Sequence, residues 1–486
     1  MTDQASPIPF ARTPDPGSPA WARWAWLAGA AFLLAVVVLN QAEHYLSKGK
    51  PAPAASITEV TPPGMEPVAM AARLWVKFVV ALPVSDSDRK TAMAQVAREA
   101  KTDVDAFRVA LAAAEIVDVP AAVTRLEELR ATLAEKDTPP PGLAQDIDDA
   151  LRAYALGSQS LESDARERLV ARHGWFGRLL LVHDASDSSG ERAAVVGGGW
   201  TLLIGFIAFG VVALVAGITG FVLFVVAIVW ISGRRIRPAF EAPAPGGSVY
   251  LEAVAAFIGA FIVFKLGSSL VIGLFASGGE MPSWATTAGL LGQWTLLILP
   301  LYPLLRGVAW REHARRMGWH RGAGVLREVG AGIVGYLAGM PLLGLALAIS
   351  MGVVLVRSAM QGPDAAPPRN PIVEIISGAG TLQLVLLFLL ATIWAPLVEE
   401  AVFRGAFYRH LRSRLGVFAS AALSAIVFGV MHGYDALLLT PVISLGFVFA
   451  LMREWRGSLI GPIVAHALHN ATIMSVVLLV FGQLAD

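Results

Sequence analysis

The chain has 486 residues, 55% hydrophobic and 15% charged, with a net charge of +1 and a mean hydropathy of +0.61. Soluble domains carry about 25% charged residues, so an ordinary soluble globular protein is excluded and an integral membrane protein is indicated. There is no basic surplus to recruit nucleic acid, and with no cysteine there is neither a disulfide framework nor a thiolate nucleophile.

In chain order, residues 1–40 read as a cytoplasmic tail followed by an uncleaved signal anchor, its apolar stretch running from Trp24 to Leu39. Residues 41–84, with "KGKPAPAASITEVTPPGMEP", read as a Pro/Ala-rich linker. Residues 85–195 hold more than half of all acidic residues, and Val96, Val104, Phe107, Val109 and Leu111 recur there at helical spacing. That spacing predicts a small domain of three or four helices broken at "DTPPPG", either a solvated spacer or a binding or regulatory module. Residues 196–240 form the second span, one long tilted helix rather than two, ending at "SGRRIRP". The first part of a membrane core occupies 241–370, and 371–486 complete it. Further spans fit 250–277, 285–305, 329–356, 375–403, 415–433, 436–452 and 458–482. The expected fold is therefore all-α, a polytopic membrane helix bundle of about nine spans.

Arginines set the expected orientation. "RRIRP", "RGVAWREHARRMGWHRG", "FYRHLRSRLG" and "REWRG" all fall on one side under this count, which becomes the cytoplasmic side. Those arginines also suit anionic lipid headgroups. Residues 41–195 and the loop "RSAMQGPDAAPPRNP" then lie outside the cytoplasm, and the protein is expected as a multi-pass protein of the inner (cytoplasmic) membrane.

The chemistry begins at "APLVEEAVFRG", residues 395 to 405. Charges at such depth in an apolar run are costly, about 2.5–3.5 kcal/mol each on insertion scales, and need partners or a function. Glu400 and Arg404 stand four apart on one helical face and pair; Glu399 points about 100° away and is left for another partner. Phe428 and His432 share a face of a later span, as do His466 and Asn470 in "IVAHALHNAT". His469 and His410 read as satisfied core residues, and Lys265 as a buried charge that pairs or snorkels. A carboxylate and an imidazole can deprotonate a water, while a second imidazole and an amide can hold an oxyanion. The set Glu399, His432 and His466 is alternatively a zinc site, although no H-E-x-x-H is present and Asn is an uncommon zinc ligand.

These residues also carry a resemblance. "EEAVFR", "FGVMH" and "HALHN" resemble, in order, the E-E-x-x-x-R, F-x-x-x-H and H-x-x-x-N signatures of the CPBP family. That family comprises the intramembrane CAAX-prenyl proteases, the bacteriocin-processing enzymes and their Abi relatives. The resemblance covers roughly residues 375–482. It implies an intramembrane endopeptidase acting on a membrane protein or membrane-tethered peptide, prenylated in some relatives. Glu399 and His432 would activate water, His466 and Asn470 would form the oxyanion site, and Glu400, Arg404 and Phe428 would support them. Two other readings are a non-proteolytic scaffold or immunity protein on the same fold, and a transporter relaying protons through the buried carboxylates.

Overall fold

The computed structural model describes residues 12–48, 67–275, 283–361, 379–434 and 436–484, and apart from one parallel bridge between Pro14 and Ala244 their regular structure is helical. Residues 49–66 of the expected 41–84 linker, and most of the loop after Arg357, fall outside the described residues. The chain separates into two compact units, one of Met1–Ser56, Ala213–Pro371 and Ala379–Met474, the other of Ile57–Val212, Ile372–Gly378 and Ser475–Asp486.

The first helix, α1, is Pro19–Lys48. The second unit then begins inside the segment expected to be linker: α2 (Pro67–Ala81) is a helix, and its Val68, Ala69, Ala72 and Val76 are buried in that unit's core. Composition misled here, because the Pro/Ala-rich character ends before Pro67 while the apolar face that follows has a partner. The polar region divides more finely than three or four helices. It holds α3 (Asp86–Arg98), α4 (Asp103–Ile116), α5 (Val119–Ala134), α6 (Leu143–Leu156), α7 (Ser163–His173), α8 (Trp175–Leu181) and α9 (Gly190–Val196). Local signals account for the extra starts. Thr102 and Asp105 form a capping box ahead of α4, and Asp118 caps α5, whose second residue is Pro120. Phe107, Leu111, Ile116, Leu126, Ile147 and Leu169 meet in one core.

Asp146 is enclosed in that core. It accepts from Arg168 at 3.3 Å, from Arg172 at 2.5 Å and from His173 Nε2 at 3.0 Å. Burial alone would raise its carboxyl, but the bonds from His173 and Arg172 outweigh this and hold it below the usual carboxylate range. Burial lowers the His173 imidazole, and Asp146 offsets this only in part. A histidine depressed in the fold contributes fully above its unfolded pKa of about 6.5 and loses that contribution as pH falls. The Asp146 contribution persists down to about pH 4 and fails only below it. The thermal midpoint of this unit, read by proteolysis within α3–α9, is therefore expected to fall between pH 7.5 and 5. His173→Gln, which keeps a donor but does not titrate, should flatten that slope; an unchanged slope would overturn the assignment.

The other unit holds the membrane core. α10 (Gly199–Ser232) is one uninterrupted helix, as expected, and the division between the units falls within it. α11 (Val249–Phe275) packs against α1. α12 (Ser283–Gly292) continues into a 3₁₀ stretch, Gln293–Leu301, and then into α13 (Tyr302–Leu305). α14 (Trp310–Met317), α15 (Val325–Gln361), α16 (Thr381–Arg412), α17 (Val417–Met431), α18 (Ala436–Arg456) and α19 (Ile460–Leu484) complete the described chain. Among the described residues eight helical segments are long and apolar enough to cross a membrane, and α17 is a shorter apolar helix of 15 residues, about 22 Å. The protein is a multi-pass membrane helix bundle.

α1 is more than an anchor. Ala22, Ala25 and Val36 are buried, Trp26 meets Phe407 and His410 edge-on at 5.9 and 5.7 Å, and Asn40 accepts from Lys265 at 2.5 Å. An amide thus meets the lysine cation, which is half-buried rather than buried. One end of this unit is closed by arginines. Asp15 accepts from Arg409 Nε at 3.0 Å and Nη2 at 2.9 Å and pairs with Arg316. Arg412 grips Glu454 at 3.0 Å, and Arg456 grips Glu328 at 3.0 and 2.7 Å. Several arginines expected to act mainly as topology signals therefore also join the segment before α1, α14, the start of α15 and the C-terminal ends of α16 and α18.

Candidate active site

α16 is not a uniform α-helix. π-helical turns at Leu390–Trp394 and Ala401–Phe407 bracket the α-helical Ala395–Glu400. Pro396 explains the first. It has no N–H to give, and its ring crowds the carbonyl four residues back, that of Thr392, so a wider turn there relieves the clash. The two turns change the register of everything between Leu389 and Tyr408, which a regular 100° step does not anticipate.

Glu400 sits at the centre of the buried network. Its Oε1 accepts from Arg404 Nη1 at 2.9 Å and from His466 Nδ1 at 2.9 Å, with Glu400 and Arg404 fully buried. Arg404 Nη2 also donates to the Gly446 carbonyl at 3.0 Å, and the guanidinium lies 4.3 Å above the Phe428 ring. A Cβ at Gly446 would meet that Nη2 at 3.0 Å, so this close approach favours glycine. Phe428 in turn stands edge-on to His432, 4.6 Å between centroids, and Phe449 stacks on His466 at 5.4 Å. Both rings are held by aromatic packing as well as by hydrogen bonds.

The tautomers follow from the partners. His432 Nδ1 lies 2.7 Å from the Phe428 carbonyl, which can only accept, so Nδ1 carries the proton and Nε2 of the neutral ring is a base. His466 Nδ1 donates to Glu400, which leaves its Nε2 free as well. Both Nε2 atoms face Glu399 Oε2, each at 3.9 Å. That oxygen is buried and has no hydrogen-bond partner among the described residues. A single water about 2.8 Å from a carboxylate oxygen and an imidazole nitrogen spans such a gap. Asn470 Nδ2 donates to the Ala391 carbonyl in the first π-turn at 2.7 Å, and its second N–H remains for another acceptor.

Three sequence segments, Glu399–Arg404, Phe428–His432 and His466–Asn470, thus converge on one place. Comparison with known proteins points the same way: residues 381–472 match the family model "Type II CAAX prenyl endopeptidase Rce1-like". Residues 381–472 are a CPBP-family domain. A Bacillus subtilis (strain 168) protein named "Putative membrane peptidase YdiL" is 27% identical to this chain over 89 residues. The match spans 18% of this chain and 36% of the relative's length. No solved structure matches.

In the CPBP domain the structure brings together Glu399, Glu400, Arg404, Phe428, His432 and His466, with Asn470 on the Ala391 carbonyl one turn away. His469 is half-buried, its Nδ1 3.1 Å from the Tyr336 hydroxyl, and His410 is buried beside Trp26. The donor set fits a metal poorly. Tetrahedral zinc ligands stand about 3.3–3.4 Å apart, less than the 3.9 Å from Glu399 to either imidazole. Among the described residues no group of three His, Asp or Glu is arranged to hold a metal. Sequence reasoning missed Gly446 and Phe449, and it missed Tyr434, whose ring lies 5.4 Å from that of His432. The tyrosine had a signal, two residues past the motif histidine in "HGY"; the other two look like ordinary residues of an apolar helix.

Proposed function

We propose that the CPBP domain is an intramembrane endopeptidase hydrolysing a peptide bond of a membrane-associated protein, with prenylated or otherwise membrane-tethered proteins as the substrate class. The observation that carries this reading is the unpaired Glu399 Oε2 facing two imidazole Nε2 atoms at 3.9 Å each. A water between Glu399 and His432 donates both protons to acceptors and turns its lone pairs outward, the arrangement of an activated nucleophile. Attack on the carbonyl puts negative charge on its oxygen. His466 stabilises it when its ring is protonated on both nitrogens, with Nδ1–H held by Glu400 and Nε2–H aimed at the oxyanion. Asn470 supplies its second N–H. Proton return from His432 to the leaving amine completes the cycle. The arginine-rich end of the unit is assigned to the cytoplasm of the inner membrane, with the N-terminus inside and residues 41–195 outside.

The test is cleavage by purified protein in liposomes, using a pool of membrane-tethered and prenylated peptides. Asn470→Ala should lower kcat about 100- to 1,000-fold, the usual cost of one oxyanion donor, with little change in KM. A chelator should leave the wild-type rate unchanged, as carboxylate chemistry requires. If the folded wild-type protein cleaves nothing from a broad pool, a non-proteolytic role of the same core replaces this reading.

A further inference from the structure

The segment between two membrane spans, ending at Leu305 and resuming at Val325, forms a basic hairpin around α14. His313 and Met317 are turned inward and fully buried, while Trp310 is 55% exposed. Leu305 and Leu326, at the two ends of the hairpin, are 84% and 87% exposed. Arg311, Arg321 and Arg327 are exposed and have no ion pair among the described residues. Arg315 reaches only the exposed Glu241, at 4.0 Å. The nearby carboxylates are otherwise taken, Glu312 by Arg316 and Glu328 by Arg456. Beside the hairpin lies a cleft of about 200 Å³ lined by Trp319, His320, Arg321, Leu459, Ile460 and Ile463. None of the active-site residues lines it.

Exposed leucines and a tryptophan at the ends of membrane spans belong where acyl chains meet headgroups. Unneutralised guanidiniums at that level call for an anion, and a phosphodiester accepts the guanidinium fork in bidentate fashion. We propose that the 305–327 hairpin and its cleft form a binding site for an anionic phospholipid. Its phosphate sits against Arg321, with Arg311 and Arg327 supplying the surrounding positive field, and its first acyl carbons lie on Ile460 and Ile463. Charge complementarity selects this occupant. A zwitterionic lipid would satisfy the apolar floor but leave the excess positive charge unmatched.

The experiment uses the full chain in nanodiscs and spin-labelled phosphatidylglycerol or phosphatidylcholine, with the motionally restricted lipid fraction read by electron paramagnetic resonance. Wild type is expected to prefer phosphatidylglycerol, and 0.5 M NaCl to weaken the preference. Each interfacial arginine is worth about fivefold in affinity, so R311Q/R321Q/R327Q should erase most of the preference. R234Q/R235Q/R237Q removes the same charge from exposed arginines of another loop and should keep it. Equal restriction of both lipids by wild type, or an equal loss in the two triple variants, would overturn the proposal.

Discussion

Replacing Glu399 by glutamine is expected to abolish peptide-bond cleavage while the protein remains folded in its membrane. What decides this is what the side chain does not do. Glu399 Oε2 makes no hydrogen bond to a described residue, so an isosteric amide breaks no bond of that atom. What is lost is one of the two acceptors for the water proton and the negative charge that orients it. Positioned acid–base groups contribute about 100- to 10,000-fold, and a fall in kcat within or beyond that range is the expected result. The comparison needs equal yield of folded protein in equal detergent, judged by circular dichroism and size-exclusion profile. Wild-type turnover by the glutamine variant would sink the catalytic assignment of this residue.

The opposite behaviour is expected one residue on. Glu400 and Arg404 are wholly enclosed, paired at 2.9 Å and tied to His466 and the Gly446 carbonyl. Removing one partner leaves a buried charge without its counter-ion, which costs about 3–5 kcal/mol. Arg404→Ala also removes the guanidinium from the Phe428 ring that holds His432. Both Arg404→Ala and Glu400→Ala are therefore expected to lower the thermal midpoint in detergent by many degrees and to lose activity as a consequence. The double variant Glu400→Leu/Arg404→Met, which removes both charges at similar volume, should recover much of the stability but none of the activity. Single variants with wild-type stability would show that the pair is not what holds the site together.

The contrast shows what was legible in the sequence. Glu400 with Arg404, and Glu399 left for another partner, followed from four-residue spacing on an apolar helix, because charges inside a membrane are too expensive to be accidental. Phe428 with His432, and His466 with Asn470, followed in the same way. The long α10 was legible from its length alone. Four features were not. The π-turns of α16, the first set by Pro396, have no hydropathy period of their own. Gly446 matters because of what approaches it from another helix, and a local pattern holds no such information. The tie of Asp15 to Arg409 and Arg316 joins residues whose separation along the chain hides it entirely. α2 was lost for a different reason: proline and alanine upstream lent their character to a helix with a core-facing stripe.

The same Asp15 tie sets a timetable for biogenesis. Its partner Arg409 lies 394 residues downstream, a stretch a ribosome needs roughly 20–80 s to polymerise. α1 must therefore enter the bilayer long before its carboxylate clasp exists. Until Arg316 and then Arg409 have been made, a nascent chain carries an acidic strap whose clasp is incomplete. A ribosome stalled ahead of Arg316 would leave that strap open at both of its arginine partners.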